Sequence, residues 1–152
     1  MSGDAANTVP IGRQAQILDG LVDGSVTLPP MDALGLSRPT SWEPGRVAGE
    51  WAVDPAMFHA GGAVFGGYLA ALCDNACAYA VRSILADDEG YATADLGVTF
   101  LRPVRSGRLR WEATVAHRGK RIAYVEATFT DDDGLPAVKT RAVQLIVPAS
   151  GG

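Results

Sequence analysis

The sequence predicts an α+β domain in which one antiparallel β-sheet wraps a single long central helix. Two observations carry this reading. The segment Gly66 to Leu85, GGYLAALCDNACAYAVRSIL, is long enough for about five helical turns and leaves no broad polar stripe, so such a helix expects burial. Behind it follow four alternating stretches, Tyr91 to Leu101, Arg108 to His117, Arg121 to Thr130 and Ala137 to Val147, set apart by the turn signals RPVRSG, RGK and DDDG.

Taken in chain order, the first ten residues are small and polar and are expected to be disordered or loosely docked. From Ile11 to Val22 the residues Ile11, Ala15, Leu18, Leu21 and Val22 share one side, which predicts a short amphipathic helix ended by Gly24. Pro29, Pro30, Pro39 and Pro44 break the stretch from Leu28 to Gly45, which reads as a wrapping loop. Residues 1–45 thus form an expected N-terminal arm. Arg46 to Val53 alternates as a strand, and Asp54 to Val64, with Pro55 and the Gly61-Gly62 pair, forms a loop into the long helix. Asp87 to Gly90 makes a turn after it. In the strands that follow, Leu96, Val98 and Phe100 share one face, Leu109, Trp111, Ala113 and Val115 another, and Ala123, Val125, Ala127 and Phe129 a third. Residues 46–148 therefore form the expected sheet-and-helix domain, and 149–152 a flexible tail.

The 152 residues, 47% of them hydrophobic, suffice for one domain with a real core. A formal charge of −4 argues against a general nucleic-acid binder, which needs a concentrated basic face. Arg82 and Asp74 interrupt the longest apolar stretch before it reaches the length of a membrane span, and the N-terminus lacks a basic-then-apolar leader, so a cytoplasmic protein without membrane partners is expected. Cys73 and Cys77 stand one helical turn apart, a spacing that fits neither a zinc ribbon nor a redox pair, and read as buried thiols.

Asp74 is the misplaced residue of the long helix. Its neighbours at three and four positions are Ala70, Ala71, Cys77 and Ala78, so no local Lys or Arg pairs with it. An unpaired carboxylate in a dry interior destabilises a fold by several kcal/mol, roughly, and something must offset that. Two readings are open on the residues alone: Asp74 faces a solvated seam or a backbone group, or it acts on a substrate in a cleft.

The run Phe65 to Ala80, FGGYLAALCDNACAYA, resembles the signature of the hotdog-fold thioesterases of the PaaI-like, phenylacetate-pathway family: a Gly pair, six residues, then an Asp followed by small residues. TADLGVTFLRPVRSG, Thr93 to Gly107, resembles the family's next strand and turn, and GKRIAYVEA its following hairpin; the likeness covers about Arg46 to Val147. The resemblance implies a hotdog fold, hydrolysis of an acyl-CoA, Asp74 as nucleophile or general base, the Gly66 amide as oxyanion donor, and dimers with sites at the subunit boundary. Thr93 falls where relatives carry a Ser or Thr that positions the nucleophile or water. His59 falls where they carry an Asn that holds the carbonyl or the water. Phe65 replaces the family's His before the Gly pair and adds an apolar wall beside Gly67.

On the residues alone, the Gly66-Gly67 pair either eases a tight loop-to-helix turn or lets a substrate approach the helix start closely. Gly66 and Gly67 open the helix, where unsatisfied N–H groups and the positive end of the helix dipole point outward. Eight residues separate Gly66 from Asp74, about 12 Å along one helix, too far to act on one carbonyl. If both do chemistry, the helix start of one subunit faces the carboxylate of another, which predicts a homodimer or a dimer of dimers. Arg102 and Arg105, then Arg118, Lys120 and Arg121, lie at strand ends and turns where they can meet the phosphates of coenzyme A. No metal or separate cofactor is expected, coenzyme A being part of the substrate. The function expected is hydrolysis of a medium-chain or aromatic acyl-CoA. Its rivals are a module that binds acyl-CoA without turnover, a hotdog dehydratase or hydratase, for which neither His59 nor His117 is suitably placed, and a structural dimer without ligand.

Overall fold

The computed structural model describes residues 12–150, so the expectation for the first ten residues lies outside it. Helix α1 spans Arg13–Asp23, closes on Gly24 in the left-handed conformation (φ 84°) and buries Leu18 and Leu21 completely. The segment from Leu28 to Gly45 departs from the wrapping loop that its prolines suggest. It forms helix α2, Pro29–Leu34, and strand β1, Pro39–Glu43. Proline is compatible with both places: the first turn of a helix has no acceptor for its N–H anyway, and Pro39 opens an edge strand where no ladder donor is needed.

Strand β2, Arg46–Ala52, is followed by a 3-10 turn at Pro55–Met57 and by helix α3, Gly66–Arg82. Strands β3 (Glu89–Phe100), β4 (Arg108–Arg118), β5 (Ile122–Thr130) and β6 (Pro136–Pro148) complete one six-stranded sheet in the order β1-β2-β4-β5-β6-β3. Every pairing is antiparallel. The α+β reading, a sheet around one long helix, is therefore what the chain adopts. Helix α3 stops at Arg82, short of Leu85, because Ser83 caps it and the next residues tighten into i→i+3 bonds from Ile84 to Val81 and from Leu85 to Arg82. β3 in turn starts at Glu89, two residues before the expected Tyr91.

The curl of the sheet is visible in one ion pair. Arg118, ending β4, grips Glu89, opening β3, through Nη2 at 2.6 and 2.7 Å. Three strand spacings would hold these strands about 14 Å apart in a flat sheet. Burial works to raise the Glu89 carboxyl, but the Ala86 N–H and the Arg118 guanidinium outweigh it and hold the carboxyl below its usual range.

Inside the curl, α3 buries Leu72, Cys73, Ala76, Cys77, Ala80 and Val81 against Val47, Leu109, Trp111, Val125, Phe129 and Val138. The other side of α3 is covered by the N-terminal segment and fixed to its carbonyls. The Tyr68 hydroxyl lies 2.7 and 2.9 Å from the Leu34 and Gly35 carbonyls and donates to one of them, Asn75 donates to Ser37 (3.1 Å) and Tyr79 to Ser37 (3.2 Å). Positions 68, 75 and 79 form one stripe at helical spacing, so a helix that looks apolar all round is covered on two sides, while Gly67, Ala70, Ala71, Asp74 and Ala78 line a more open strip. None of the described helices is long and apolar enough to cross a membrane.

Both cysteines are buried. Burial, partly offset by the Thr140 hydroxyl, pushes the Cys73 thiol up to about 12, and burial likewise pushes the Cys77 thiol up. A folded-state value above the unfolded one favours the fold while the thiol is protonated. That contribution is complete below the ordinary value of 9.0 and is lost as the pH rises through about 12. Iodoacetamide at pH 8 is expected to label neither thiol in the folded protein and both after denaturation, with stability declining above pH 9. Rapid labelling of the native protein would contradict this.

Candidate active site

Asp74 lies midway along α3 and is half-buried. Among the described residues it forms no ion pair. Its partner is a hydroxyl: Thr93 Oγ1 donates to Asp74 Oδ1 at 2.9 Å. Thr93 reaches it because β3 is bulged. Thr93 pairs with Gln144 and Asp95 with Val143, so β3 takes two steps where β6 takes one. Strict alternation would put Thr93 on the face opposite Leu96, Val98 and Phe100. The extra residue at Ala94 restores it to their side, facing the helix. Thr93 Oγ1 also lies 3.1 Å from Gln144 Oε1, across the strand pair, and Gln144 is fully buried.

The helix start carries the other chemistry. Phe65 caps it in an extended conformation (φ −70°, ψ 147°), and its N–H is used by Met57 O at 3.0 Å. The N–H groups of Gly66 and Gly67, the first two of the helix, find no acceptor among the described residues, and no side chain caps them. The ring of Phe100 covers Gly66 so closely that a Cβ there would meet it at 3.2 Å. Phe65, Phe100 and Leu101, 43%, 50% and 48% exposed, make an apolar rim around this end.

His59 sits in the approach loop and is exposed. Its Nδ1 accepts from Gly61 N at 2.9 Å, which leaves Nε2 as the ring's donor. The loop is pinned on both sides. Phe58 bridges to Val64, and Arg105 Nη1 donates to the Gly61 and Gly62 carbonyls at 2.8 and 3.2 Å. Arg105 thus serves loop geometry.

The remaining cations fall into two groups. Arg102 stands beyond the end of β3, on the side of the helix start, 3.6 Å from Asp131. Arg118, Lys120 and Arg121 surround the β4–β5 turn, at the sheet end nearer Asp74: Ile122 pairs with Leu145, next to Gln144. Arg118 is engaged by Glu89 and by the Gly119 carbonyl. Lys120 and Arg121 are exposed and make no ion pair among the described residues.

The structure therefore brings Asp74 and Thr93 together and keeps Gly66, Gly67 and Phe65 with His59 and Arg102 at the far end, about 12 Å along the helix. A carboxylate oriented by a hydroxyl can attack a carbonyl or take a proton from water, and free amides at a helix start can hold an oxyanion. Sequence reasoning passes over two residues here. Phe100 appears in it only as a strand-face residue. Gln144 belongs to the inward-facing series Val138, Thr140, Ala142, where a polar residue is the available signal.

Comparison with known proteins bears on this geometry. The family model described as the thioesterase superfamily matches residues 61–138. A protein of Saccharolobus solfataricus named as an inferred esterase is 35% identical over 71 residues, 47% of either chain, so the match spans about half of that relative's length. Among solved structures, a thioesterase family protein from Silicibacter pomeroyi is 26% identical with a TM-score of 0.78, covering 90% of this chain and 100% of that one. A phenylacetic acid degradation-related protein from Ralstonia eutropha JMP134 is 25% identical with a TM-score of 0.76, over 85% and 98%. The PaaI protein of the Escherichia coli phenylacetic acid degradation operon, 23% identical over 91% and 94% with a TM-score of 0.77, shares the fold.

Proposed function

Since the chain belongs to the thioesterase superfamily, with the hotdog fold of the PaaI-like proteins, we propose that it hydrolyses an acyl-CoA thioester to the free acid and coenzyme A. The observation that carries the proposal is the Asp74 carboxylate, oriented by Thr93 at 2.9 Å on a helix whose Gly66 and Gly67 amides stand free. Asp74 either attacks the thioester carbon, giving an anhydride that water then hydrolyses to the free acid and regenerated Asp74, or takes a proton from the attacking water. The carbonyl oxygen gathers negative charge and is held by a Gly66 amide, the C–S bond breaks, and the sulfur leaves as thiolate, a good leaving group needing little help from an acid.

The two halves of the machinery meet in a dimer. β3 is a twelve-residue edge strand paired on one side only, by β6. A second copy adding its own β3 antiparallel, about a two-fold axis, sets the Thr93 end of one strand beside the Phe100 end of the other. Asp74 of one protomer then faces the partner's Gly66, and the symmetry makes two such sites. Phe65, Phe100 and Leu101 favour a medium-chain or aromatic acyl group. Lys120 and Arg121 are the cations free to meet the phosphates of coenzyme A, Arg102 adds charge from the other side, and His59 offers Nε2–H to the substrate carbonyl or the water.

The test is free-thiol release from short, medium and aromatic acyl-CoAs, read beside binding. Release that saturates with substrate supports a hydrolase. Tight, saturable binding without release would replace it with an acyl-CoA-binding module.

A further inference from the structure

Gln144 is the one buried side chain whose polar atoms are not all used: among the described residues its Nε2 finds no partner, although the residue has no exposed surface. Its Oε1 and the Asp74 Oδ1 both lie within bonding distance of Thr93 Oγ1, at 3.1 and 2.9 Å. A hydroxyl has one proton, so it donates to one of these acceptors only; the other oxygen is left facing it without a hydrogen between them. An orphaned amide nitrogen in a dry sheet interior adds a second cost. One change relieves the first and gives the nitrogen an acceptor, the amide oxygen then taking the nitrogen's former place. With the amide turned to present Nε2, Gln144 donates to Thr93 Oγ1, and Thr93 in turn donates to Asp74.

We infer that Gln144 is a positioning residue: its amide fixes the Thr93 hydroxyl proton on Asp74 and so holds the carboxylate in its working rotamer. The inference rests on the proposed role of Asp74. It explains why a polar side chain occupies the inward series of β6, and why the bulge at Ala94 is worth keeping, since without it Thr93 would turn away from both partners. It also explains how Thr93 acts in one direction only. A free threonine hydroxyl rotates among acceptors, whereas one that already accepts from a buried amide has its remaining proton aimed at Asp74.

The test combines kinetics with one spectroscopic readout. Gln144→Met keeps length and loses the donor; it is expected to lower kcat about tenfold, the upper size of a neutral hydrogen bond, with KM unchanged. Thr93→Val is expected to do the same, Thr93→Ser to retain activity, and Gln144→Met combined with Thr93→Val to be no worse than Thr93→Val alone. The chain has three glutamines, Gln14, Gln16 and Gln144. Glutamine-selective 15N labelling therefore gives few side-chain amide signals, and the Gln144 pair is expected to shift on Thr93→Val, a readout that needs no Gln144 variant to fold. Wild-type kcat in Gln144→Met, losses that multiply independently, or an amide pair indifferent to Thr93→Val would each overturn the inference while an inactive Asp74→Asn leaves the hydrolase standing. An active Asp74→Asn would instead remove the hydrolase reading itself.

Discussion

Asp74→Asn is expected to lower turnover by about 10³-fold while the protein stays folded, because the amide neither attacks a thioester nor accepts a proton from water. The shape is unchanged, and Asn Oδ1 still accepts from Thr93, so the local bond seen at 2.9 Å survives. Asp74 is half-buried and makes no ion pair among the described residues, so losing its charge strands no cation and relieves some desolvation. Melting temperature is therefore expected to hold or rise slightly, and substrate binding to persist. Activity equal to wild type would remove Asp74 from the chemistry. Loss of the fold would show that the carboxylate is structural.

Gly66→Pro is expected to lower kcat by about 10²- to 10³-fold, the usual cost of losing one oxyanion donor. The substitution deletes the Gly66 N–H and little else. Gly66 is the first residue of α3, where proline is well tolerated, and Phe65 before it already has the extended conformation (φ −70°, ψ 147°) that a following proline demands. The added ring atoms press on Phe100, whose ring is half-exposed and free to yield. Circular dichroism and melting are expected to match wild type. Full activity in this variant would mean that the free amides only begin a helix.

How much of this was legible depended on the physical signal each residue carries. The long helix and the four strands after it stand out because apolar runs of unequal period lie between unambiguous turn residues. Asp74 stands out because a charge in an apolar helix has no cheap local explanation. Thr93, in contrast, is reached through the resemblance alone: counted by strict alternation it belongs to the wrong face of β3, and nothing in ATADLG marks the bulge that turns it inward. Gln144 is one of four polar residues in β6, with Lys139, Thr140 and Arg141, and its meaning depends on the partner across the sheet. The helix α2 and strand β1 hide behind prolines that sit only where proline is harmless. Tyr68, Asn75 and Tyr79 look like part of a featureless helix until the N-terminal segment supplies the carbonyls they bind.

The central claim is that each site takes Asp74 from one protomer and the Gly66 amide from the other. Its most direct test mixes two inactive proteins. Asp74→Asn and Gly66→Pro are combined in equal amounts, unfolded and refolded together so that subunits exchange, and thiol release is measured against wild type. In a mixed dimer one site receives both damaged groups and the other receives both intact ones; half the dimers are mixed, so about a quarter of wild-type activity is expected to return. A mixture as inactive as its two components, with mixed dimers present, would place both groups in one subunit's site or neither in any, and would contradict the shared site.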